Sequence, residues 1–394
     1  MIRFHHHSKS LLLAGLIAGV GTPCAFAVES DAVGERLQAL LEKQQIVLTY
    51  DAASMAGSDV TLEGVSARST VGGEAIALGT VTLEDVIEEE DGDYRVGTIA
   101  LDAFEHRGND VTVSLTDATM TGLVLPQDID TDPYGGAMRY ERFAVARVDV
   151  DGEDGPLGSL ENAYAELSEE DGVLAAVGAA ERFSLDLAAI ADDRDATALL
   201  ERLGYSQITG SGYMEGSWQP SDGRVRLTRY EAVVEDAGTL ALMVDFAGYT
   251  PEFVRMLDEM ARQSADGGQN NSAQGMAMLG MMQQLTFHGL RIRFTDDSLT
   301  RKMLDYVAER EGSTPDDVIA QMTAVIPLQL SNFLGEQAAT DIATAVGTFL
   351  KNPQNLEISA MPENPVPFAM VMGAAMGAPE MLVQQLGLSV NANQ

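Results

Sequence analysis

The chain of 394 residues carries 60 acidic and 24 basic side chains, so its formal net charge at pH 7 is −36. A charge of this sign and size excludes the electropositive surface that binding to nucleic-acid phosphates requires. Hydrophobic residues make up 45% of the chain, which supplies enough apolar material for a large core and excludes intrinsic disorder of the whole chain.

An export signal is predicted at residues 1–27. Two basic residues flank a cluster of three histidines, an apolar run from Leu11 to Val20 follows, and Ala25-Phe26-Ala27 matches the small-x-small pattern that signal peptidase cleaves. The apolar run is well short of the roughly 20 residues that span a bilayer, which disfavours a membrane anchor. An expression tag is the other alternative. We therefore predict cleavage after Ala27 and a periplasmic protein without a transmembrane segment.

A helix opens the predicted mature chain, and strands follow it. After Ser30, a candidate N-cap, four apolar residues recur at helical spacing: Val33, Leu37, Leu40 and Leu41. The apolar period then changes to two, and Val60-Thr61-Leu62-Glu63 returns as Val81-Thr82-Leu83-Glu84. We interpret this return as a structural repeat in which two strands play equivalent roles. The alternation slips by one position at Gly64, which predicts a bulge or bend.

Further alternating segments continue to Phe246. Short polar turns such as Asp91-Gly92 join them and leave no room for crossover helices, so the strands are predicted to be mainly antiparallel. A helical stretch from Phe183 to Leu203 is predicted to interrupt the strands. The predicted fold class is therefore α+β, with a large twisted, mainly antiparallel β-sheet, an N-terminal helix and a more helical C-terminal part.

A polar, glycine-rich segment divides the predicted mature chain. Pro251 opens a helix, and residues 264–275 after it lack periodicity, which is typical of a linker. The predicted domains are a β-rich domain at residues 28–263 and a C-terminal region at residues 276–394. The elements predicted in that region are a strand at 285–295, helices at Leu299–Arg310, Asp316–Val325 and Ser331–Leu350, a strand at 356–360 and a methionine-rich helix ending near Leu386.

Few side chains of the predicted mature chain suit catalysis, and no catalytic, cofactor-binding or metal-binding residues are predicted. The single cysteine, Cys24, lies in the predicted signal peptide. His106 lies in an apparent hairpin loop, where a solvated turn residue is more common than a catalyst. His288 shares strand parity with Leu290 and is expected to point toward the apolar face as a packed histidine, with a general base as the alternative.

Acidic residues are abundant, but their spacing does not match a calcium loop of the EF-hand type. Asp128, Asp130 and Asp132 alternate as at the start of such a loop. Pro133 stands where the loop requires glycine, and Arg139 stands where it requires a bidentate glutamate. Weak cation binding by clustered carboxylates stays an alternative. A glycosidase-like pair of carboxylates is another, and the sequence cannot select a pair among 60 acidic residues.

Methionines are concentrated in two stretches of the C-terminal region. The residues are Met276, Met278, Met281 and Met282 in the first stretch and Met361, Met370, Met372, Met376 and Met381 in the second. Flexible thioether side chains fill irregular space, so core packing is the favoured interpretation. In the alternative, they form an adaptable apolar surface whose ligand, such as an acyl chain, lies along a curled sheet that its own side chains do not fill.

Four segments resemble those of a known group of proteins in their order along the chain and in the sequences of their strands and turns. They are GERLQALLEKQ followed by QQIVLTYDAASMAGSDVTLEGV, then GYMEGSWQPSDGRVRLTRYEAVVEDAGTLALMVDF and FLKNPQNLEISAMPENPVP. In this respect the chain resembles exported β-rich envelope proteins of Gram-negative bacteria in the AsmA-like and YdgA-like grouping. The resemblance implies a role linked to envelope lipid homeostasis and carries no functional residues. AsmA-type members have a membrane anchor, whereas none is predicted here.

The predicted function is that of a non-catalytic soluble periplasmic protein that binds an apolar or lipid ligand of the envelope. The alternative is an envelope scaffold or interaction protein whose acidic surface contacts a basic partner protein. A carboxylate-based hydrolase is a less favoured alternative. Neither a nucleic-acid partner nor a cofactor is predicted, and the oligomeric state is left open.

Overall fold

The computed structural model describes residues 28–70, 74–108, 110–191, 193–265, 278 and 280–394. The predicted signal peptide at residues 1–27 lies outside these residues. The predicted linker lies outside them too, apart from Ser264 and Ala265, which end a helix. The predicted division of the chain at residues 264–275 therefore stays a prediction.

The chain forms two compact units. The first comprises the described residues up to Glu169 together with Ala176–Ala196, and the second comprises Glu170–Ala175 together with Thr197–Gln394. The elements of the N-terminal half are α1 (Ser30–Lys43), β1 (Ile46–Thr49), β2 (Ala52–Ala56), β3 (Asp59–Ser69), β4 (Ile76–Glu88), β5 (Tyr94–Arg107), β6 (Val111–Leu125), β7 (Arg142–Gly152), β8 (Gly155–Glu170), β9 (Val173–Asp186) and α2 (Leu187–Ile190). Those of the C-terminal half are α3 (Arg194–Leu203), β10 (Gln207–Gln219), β11 (Arg224–Val234), β12 (Gly238–Ala247), α4 (Pro251–Ala265), β13 (Thr286–Asp296), α5 (Leu299–Glu311), α6 (Pro315–Leu334), α7 (Glu336–Lys351), β14 (Asn355–Ala360), β15 (Val366–Pro367), α8 (Phe368–Gly377), α9 (Glu380–Gln385) and β16 (Leu388–Ala392).

Helix α1 forms because its apolar residues recur at helical spacing and cover one side. Its buried residues are Val33, Gly34, Leu37, Leu40 and Leu41, and its apolar side chains share one core with strands β3 and β4. Burying each large side chain of this kind stabilises the fold by about 1.5–3 kcal/mol. The predicted N-terminal helix is confirmed. Glu29 holds the cap position, however, without a side-chain hydrogen bond, and Ser30 is the first helical residue, so the candidate cap at Ser30 is wrong.

The repeated segment forms two neighbouring strands, β3 and β4. The antiparallel register sets the first copy against the second, with Val60 opposite Leu83, Thr61 opposite Thr82 and Leu62 opposite Val81. Equivalent apolar positions therefore share one buried face, as the repeat predicted. The register slips after Leu62, and Gly64 there has a φ of 66°, a conformation that favours glycine. The predicted bulge is confirmed.

A second part of the first unit's core is built from strand residues. Its buried members are Val113, Leu115, Ala118, Val145 and Val148, and partly buried side chains of β5 and β8 pack against them. Leu115 and Ala118 reach the same cluster because the alternation slips at Asp117, whose φ is 50°. These side chains lie on one face of the strands and bury one another.

The strands of the second unit are also antiparallel. The order β10-β11-β12-β13-β14-β16 follows from their pairing, and β15 pairs with β13. The helical stretch predicted at Phe183–Leu203 is wrong at its start, because β9 continues to Asp186. The Asp186 carboxylate then accepts a hydrogen bond from the backbone N–H of Ala189 and so caps the short helix α2.

The C-terminal helices differ from their predicted bounds. Helix α6 continues past Pro327 to Leu334, whereas the prediction ended it at Val325. Pro327 has no N–H to donate within the helix, and packing against α7 compensates for this missing hydrogen bond. Most helix stability in proteins comes from such tertiary contacts. Helix α7 then begins at Glu336, since Gly335 has a φ of 83° and breaks the helical backbone.

Strands hold 47% of the residues that the structure describes, so the fold is β-rich, and the helices of the second half make it α+β. Antiparallel pairing, the N-terminal helix and the more helical C-terminal part agree with the sequence prediction. No helix within the described residues combines the length and apolar character needed to cross a membrane.

Candidate ligand-binding face

The sheet of the second unit has one face of apolar side chains, here called the apolar sheet face. Residues directly opposite one another on paired strands point to the same face, so the register defines rows across the sheet. The middle row consists of Met214, Tyr230, Leu242, Ile292, Ile358 and Val390, on β10 to β14 and β16. The adjacent row consists of Ala232, Leu240, Phe294, Leu356 and Ala392.

The opposite face of the same sheet carries charged and polar side chains. Arg224 makes two hydrogen bonds to the carboxylate of Asp245, at 3.0 Å from Nε and 2.8 Å from the terminal nitrogen. Glu357 of β14 lies within 3.5 Å of Arg291 and 3.3 Å of Arg293. The sheet therefore has one solvated polar side, and its other side must be covered by helices or by something else.

Helices cover the apolar sheet face at its margins. On α7, the ring of Phe349 packs edge-on against Phe294, with 6.3 Å between the ring centroids. Phe253 of α4 shares a cluster with Phe246 at the far end of β12. Tyr306 of α5 belongs to a cluster at the other end of the strands. These contacts bury the margins and leave the middle of the face.

The middle of the apolar sheet face is open to solvent. Met214, Tyr230 and Ile358 of the middle row and Leu240 of the adjacent row are each between 37% and 43% exposed, although all four are large apolar or aromatic side chains. Burying such side chains is favourable, and exposed groups of them on a soluble surface commonly mark a binding site. These exposed side chains on β10, β11, β12 and β14, within apolar rows that continue across the sheet, are the main candidate site of this molecule.

The methionines of the two stretches differ in burial. In the first stretch Met281 is buried with Phe253 and Leu285, which agrees with the packing interpretation, whereas Met278 is 40% exposed. In the second stretch, the side chains of Met361, Met370, Met372 and Met381 are between 42% and 54% exposed. Core packing is therefore wrong for these four residues, and the adaptable apolar surface describes them. Met361 also reaches the sheet, because its sulfur would lie 2.9 Å from a Cβ placed on Gly289 of β13.

His288 does not have the surroundings that strand parity predicts. The register between β12 and β13 shifts at Asp245, so that His288 becomes the extra residue of a β-bulge. Its charged neighbours are Arg224, Asp245, Arg226 and Asp222. Burial lowers the pKa of His288 below its usual 6.5, and the Arg224 guanidinium lowers it further. The Asp245 carboxylate already receives two hydrogen bonds from Arg224, so the cluster is a packed ion pair beside a neutral histidine.

His106 is likewise placed differently from its prediction. It lies within β5, opposite Val113 of β6, and pairing continues to Arg107 opposite Thr112. The loop predicted at His106 is therefore shorter, because β6 supplies backbone partners up to that point.

The alternating aspartates at 128–132 do not converge on one point. Asp128 accepts a hydrogen bond from the backbone of Asp130, which itself pairs with Lys43 at 2.8 Å. Asp132 is almost fully buried, and its carboxylate binds the backbone N–H of Gly136 at 2.8 Å and the Arg139 guanidinium at 3.3 Å. These carboxylates order their own loop. In the part of the chain that the structure describes, no three His, Cys, Asp or Glu side chains are grouped to hold a metal ion.

Tyr134 belongs to the same loop. Its hydroxyl donates a hydrogen bond to Glu169, and its ring lies 4.7 Å from the Arg139 guanidinium. Burial raises the pKa of Tyr134 to about 12, and the bond to Glu169 contributes to this rise. The hydroxyl therefore stays protonated at neutral pH, and its contacts attach the loop to β8.

Comparison with known proteins gives one family match. A family model described as "Uncharacterized protein" matches residues 231–393, which include β12 to β14, β16 and all the helices from α4 onward. No curated protein matches the chain. The matched segment contains most of the apolar sheet face, including Leu240 and Ile358.

Proposed function

We propose that the protein is a non-catalytic binding protein of the Gram-negative envelope and that it holds an acyl chain of a lipid along the apolar sheet face. The observation that carries this proposal is the middle row, in which Met214, Tyr230 and Ile358 are exposed and their register neighbours on the other strands are only partly buried. The periplasmic location belongs to the same proposal and rests on the predicted signal peptide.

The shape of the open region favours a narrow apolar ligand over a globular partner. Helices pack at the margins of the face, and the exposed residues of the middle row lie on β10, β11 and β14 with partly buried apolar residues of the same row on β12, β13 and β16. With neighbouring strands about 4.8 Å apart, a row across six strands is about 24 Å long. The hydrocarbon of one membrane leaflet is about 15 Å deep, half of a bilayer core of about 30 Å, so one acyl chain fits within the row.

The surrounding charge also favours a ligand held by its apolar part. The net charge of −36 gives the protein a negative field, which repels free anions and keeps the protein soluble while the apolar row is open. Dispersion contacts with Met214 and Tyr230 supply attraction without a charged partner. The chemistry of the face therefore selects acyl chains over ionic metabolites.

A binding assay with matched variants tests this proposal. The probe is a lysophosphatidylcholine with a pyrene-labelled acyl chain, and its fluorescence is titrated against the purified full chain. We expect Ile358→Glu to weaken binding by about tenfold or more, because the ligand would bury an unpaired carboxylate.

Ile87→Glu is the matched control. Ile87 is 43% exposed on β4 of the first unit and Ile358 is 40% exposed, so the two substitutions disturb the fold to a similar degree. The control is expected to bind the probe like the wild type. If the wild type does not bind the probe, or if both variants lose binding equally, the proposed function is wrong.

A further inference from the structure

The most exposed large apolar side chains of the described residues lie on helix α6. Leu328 is 74% exposed and Phe333 is 62% exposed, and Met322 and Val325 on the same helix are also exposed. Helical spacing places these four residues within one broad stripe of α6. Val318 lies on the same side one turn before Met322, and it is buried with Ile319, Leu304 and Ala308, so the exposed stripe begins after it. Together the four exposed residues are here called the helix surface.

Exposed methionines extend the apolar area around the helix surface. Helix α9 contacts both α6 and α8, and Gly335 at the end of α6 approaches Glu380 at the start of α9. The exposed side chains on α8 and α9 are those of Met370, Met372 and Met381. Three helices thus contribute exposed apolar side chains to the C-terminal part of the second unit.

The apolar stretches of α6 and α8 contain no charged side chains, although Glu336 and Glu380 border them. No Asp, Glu, Lys, Arg or His occurs from Val318 to Gly335 or from Asn364 to Pro379, in a chain whose net charge is −36. Exposed polar residues on α6, such as Gln329 and Asn332, are neutral. The four residues of the helix surface therefore suit an uncharged partner surface, and the acidic residues that border it disfavour an anionic one.

We propose that the helix surface docks on a zwitterionic lipid bilayer, with Leu328 and Phe333 entering the boundary between headgroups and acyl chains. Apolar side chains on one face of a helix bind at that boundary, and the neutral glutamine and asparagine suit the headgroup layer. This inference rests on the proposed function, because the bilayer is the source of the acyl chain that the apolar sheet face holds.

Charge decides between this partner and the others. A second copy of the chain carries the same −36 and is repelled, whereas a zwitterionic bilayer carries no net charge. A basic protein would be attracted to the acidic surface elsewhere on the chain instead of to an uncharged helix. Anionic lipid is repelled as well, so adding it should weaken docking at low salt.

Vesicle co-sedimentation of the full chain tests this inference. With vesicles of phosphatidylcholine, the double variant Leu328→Glu/Phe333→Glu is expected to lose binding by about tenfold or more, because two carboxylates then face the headgroup boundary. Leu328→Met keeps an apolar side chain and is expected to bind like the wild type. The matched control is Ile87→Glu/Leu185→Glu, which adds two carboxylates at exposed apolar positions of the first unit.

The two proposals fail in different ways. Ile358→Glu is expected to keep vesicle binding, and the α6 double variant is expected to keep binding of the lysophosphatidylcholine probe. A wild type that does not bind the probe contradicts only the acyl-chain site. Docking is overturned if the wild type does not sediment with phosphatidylcholine vesicles, if the control variant loses binding equally, or if phosphatidylglycerol in the vesicles strengthens binding. Dimerisation that the α6 double variant abolishes, without any vesicle binding, would assign the helix surface to a second copy instead.

Discussion

Burial and the Arg224 guanidinium lower the pKa of His288, and the Asp245 carboxylate opposes them. The Arg224 guanidinium is bound to the Asp245 carboxylate on the polar side of the sheet, and His288 lies beside this pair at a β-bulge. Burial and the nearby cation both lower the pKa of His288, so its imidazole is neutral at pH 7. In the unfolded chain the same histidine takes up a proton below about pH 6.5. The free energy of unfolding therefore falls as the pH drops below that value.

Removing the cation is expected to raise the pKa of His288. Arg224→Met deletes the positive charge and frees the Asp245 carboxylate, and both changes favour the imidazolium. The measurement is a pH titration of the His288 ring protons by NMR. Arg229→Met is the control, because Arg229 pairs with Glu231 on the same strand and is not among the charged neighbours of His288. An unchanged pKa in Arg224→Met would show that burial alone sets the protonation state.

His288 also shows why strand parity can predict the wrong surroundings for a side chain. Parity along β13 assigned His288 to the apolar face, and parity holds only while the register is continuous. The shift falls at Gly289, which follows His288 and lies opposite Asp245. A glycine therefore marks both slips, Gly64 in β3 and Gly289 in β13, but only the pairing of β12 with β13 determines which side chain leaves the apolar face.

The packing of α6 against α7 depends on one close approach between two helices. A Cβ on Gly347 of α7 would lie 2.8 Å from Cγ2 of Thr323, which is closer than real contacts allow. The Thr323 hydroxyl donates to the carbonyls of Ile319 and Ala320, at 2.8 and 3.1 Å, so its rotamer is fixed. Glycine is thus required at residue 347 by the neighbouring methyl group.

Two substitutions together test this packing. Gly347→Ala gains about 1 kcal/mol of helix propensity, and in the wild type we expect the clash with Thr323 to cancel that gain. Thr323→Ser removes Cγ2 and keeps the hydroxyl, so in that background Gly347→Ala is expected to stabilise the fold by about 1 kcal/mol. Urea unfolding measures both differences. In the control Gly373→Ala on α8, no described atom lies within 4 Å of the new Cβ, so its effect should be the same in both backgrounds.

At the level of elements, periodicity predicted which segments are helices and strands better than it predicted where they end. Helix α1 and strand β13 lie close to their predicted positions because their apolar pattern is clear on one face. Helix α6 extends past Pro327 because α7 packs along it, and that contact is tertiary. The candidate site was predictable as a class, an apolar surface with exposed methionines. Its position was not, because the middle row joins residues from Met214 to Val390 that only strand pairing brings together.

Across the whole molecule, acidic side chains outnumber basic ones so strongly that most cannot be paired. Ion pairs such as Arg147 with Glu161 and Arg229 with Glu231 lie at the surface, where each contributes about 0–1 kcal/mol. The excess of negative charge therefore dominates the electrostatic energy of the folded chain. Folding brings these carboxylates closer together than they are in the unfolded chain, so their mutual repulsion opposes folding.

Salt is therefore expected to stabilise the protein. Between about 0.01 M and 0.15 M NaCl the Debye length falls from about 30 Å to about 8 Å. This screening removes most of the long-range repulsion among the carboxylates, and the stabilisation that the surface ion pairs lose is smaller. The free energy of unfolding should rise over this range when it is measured by urea denaturation at pH 7. Potassium chloride is the control, because screening depends on ionic strength and should give the same increase. A free energy of unfolding that falls with both salts would mean that surface ion pairs, such as that between Arg142 and Glu166, outweigh the repulsion among the 60 acidic residues.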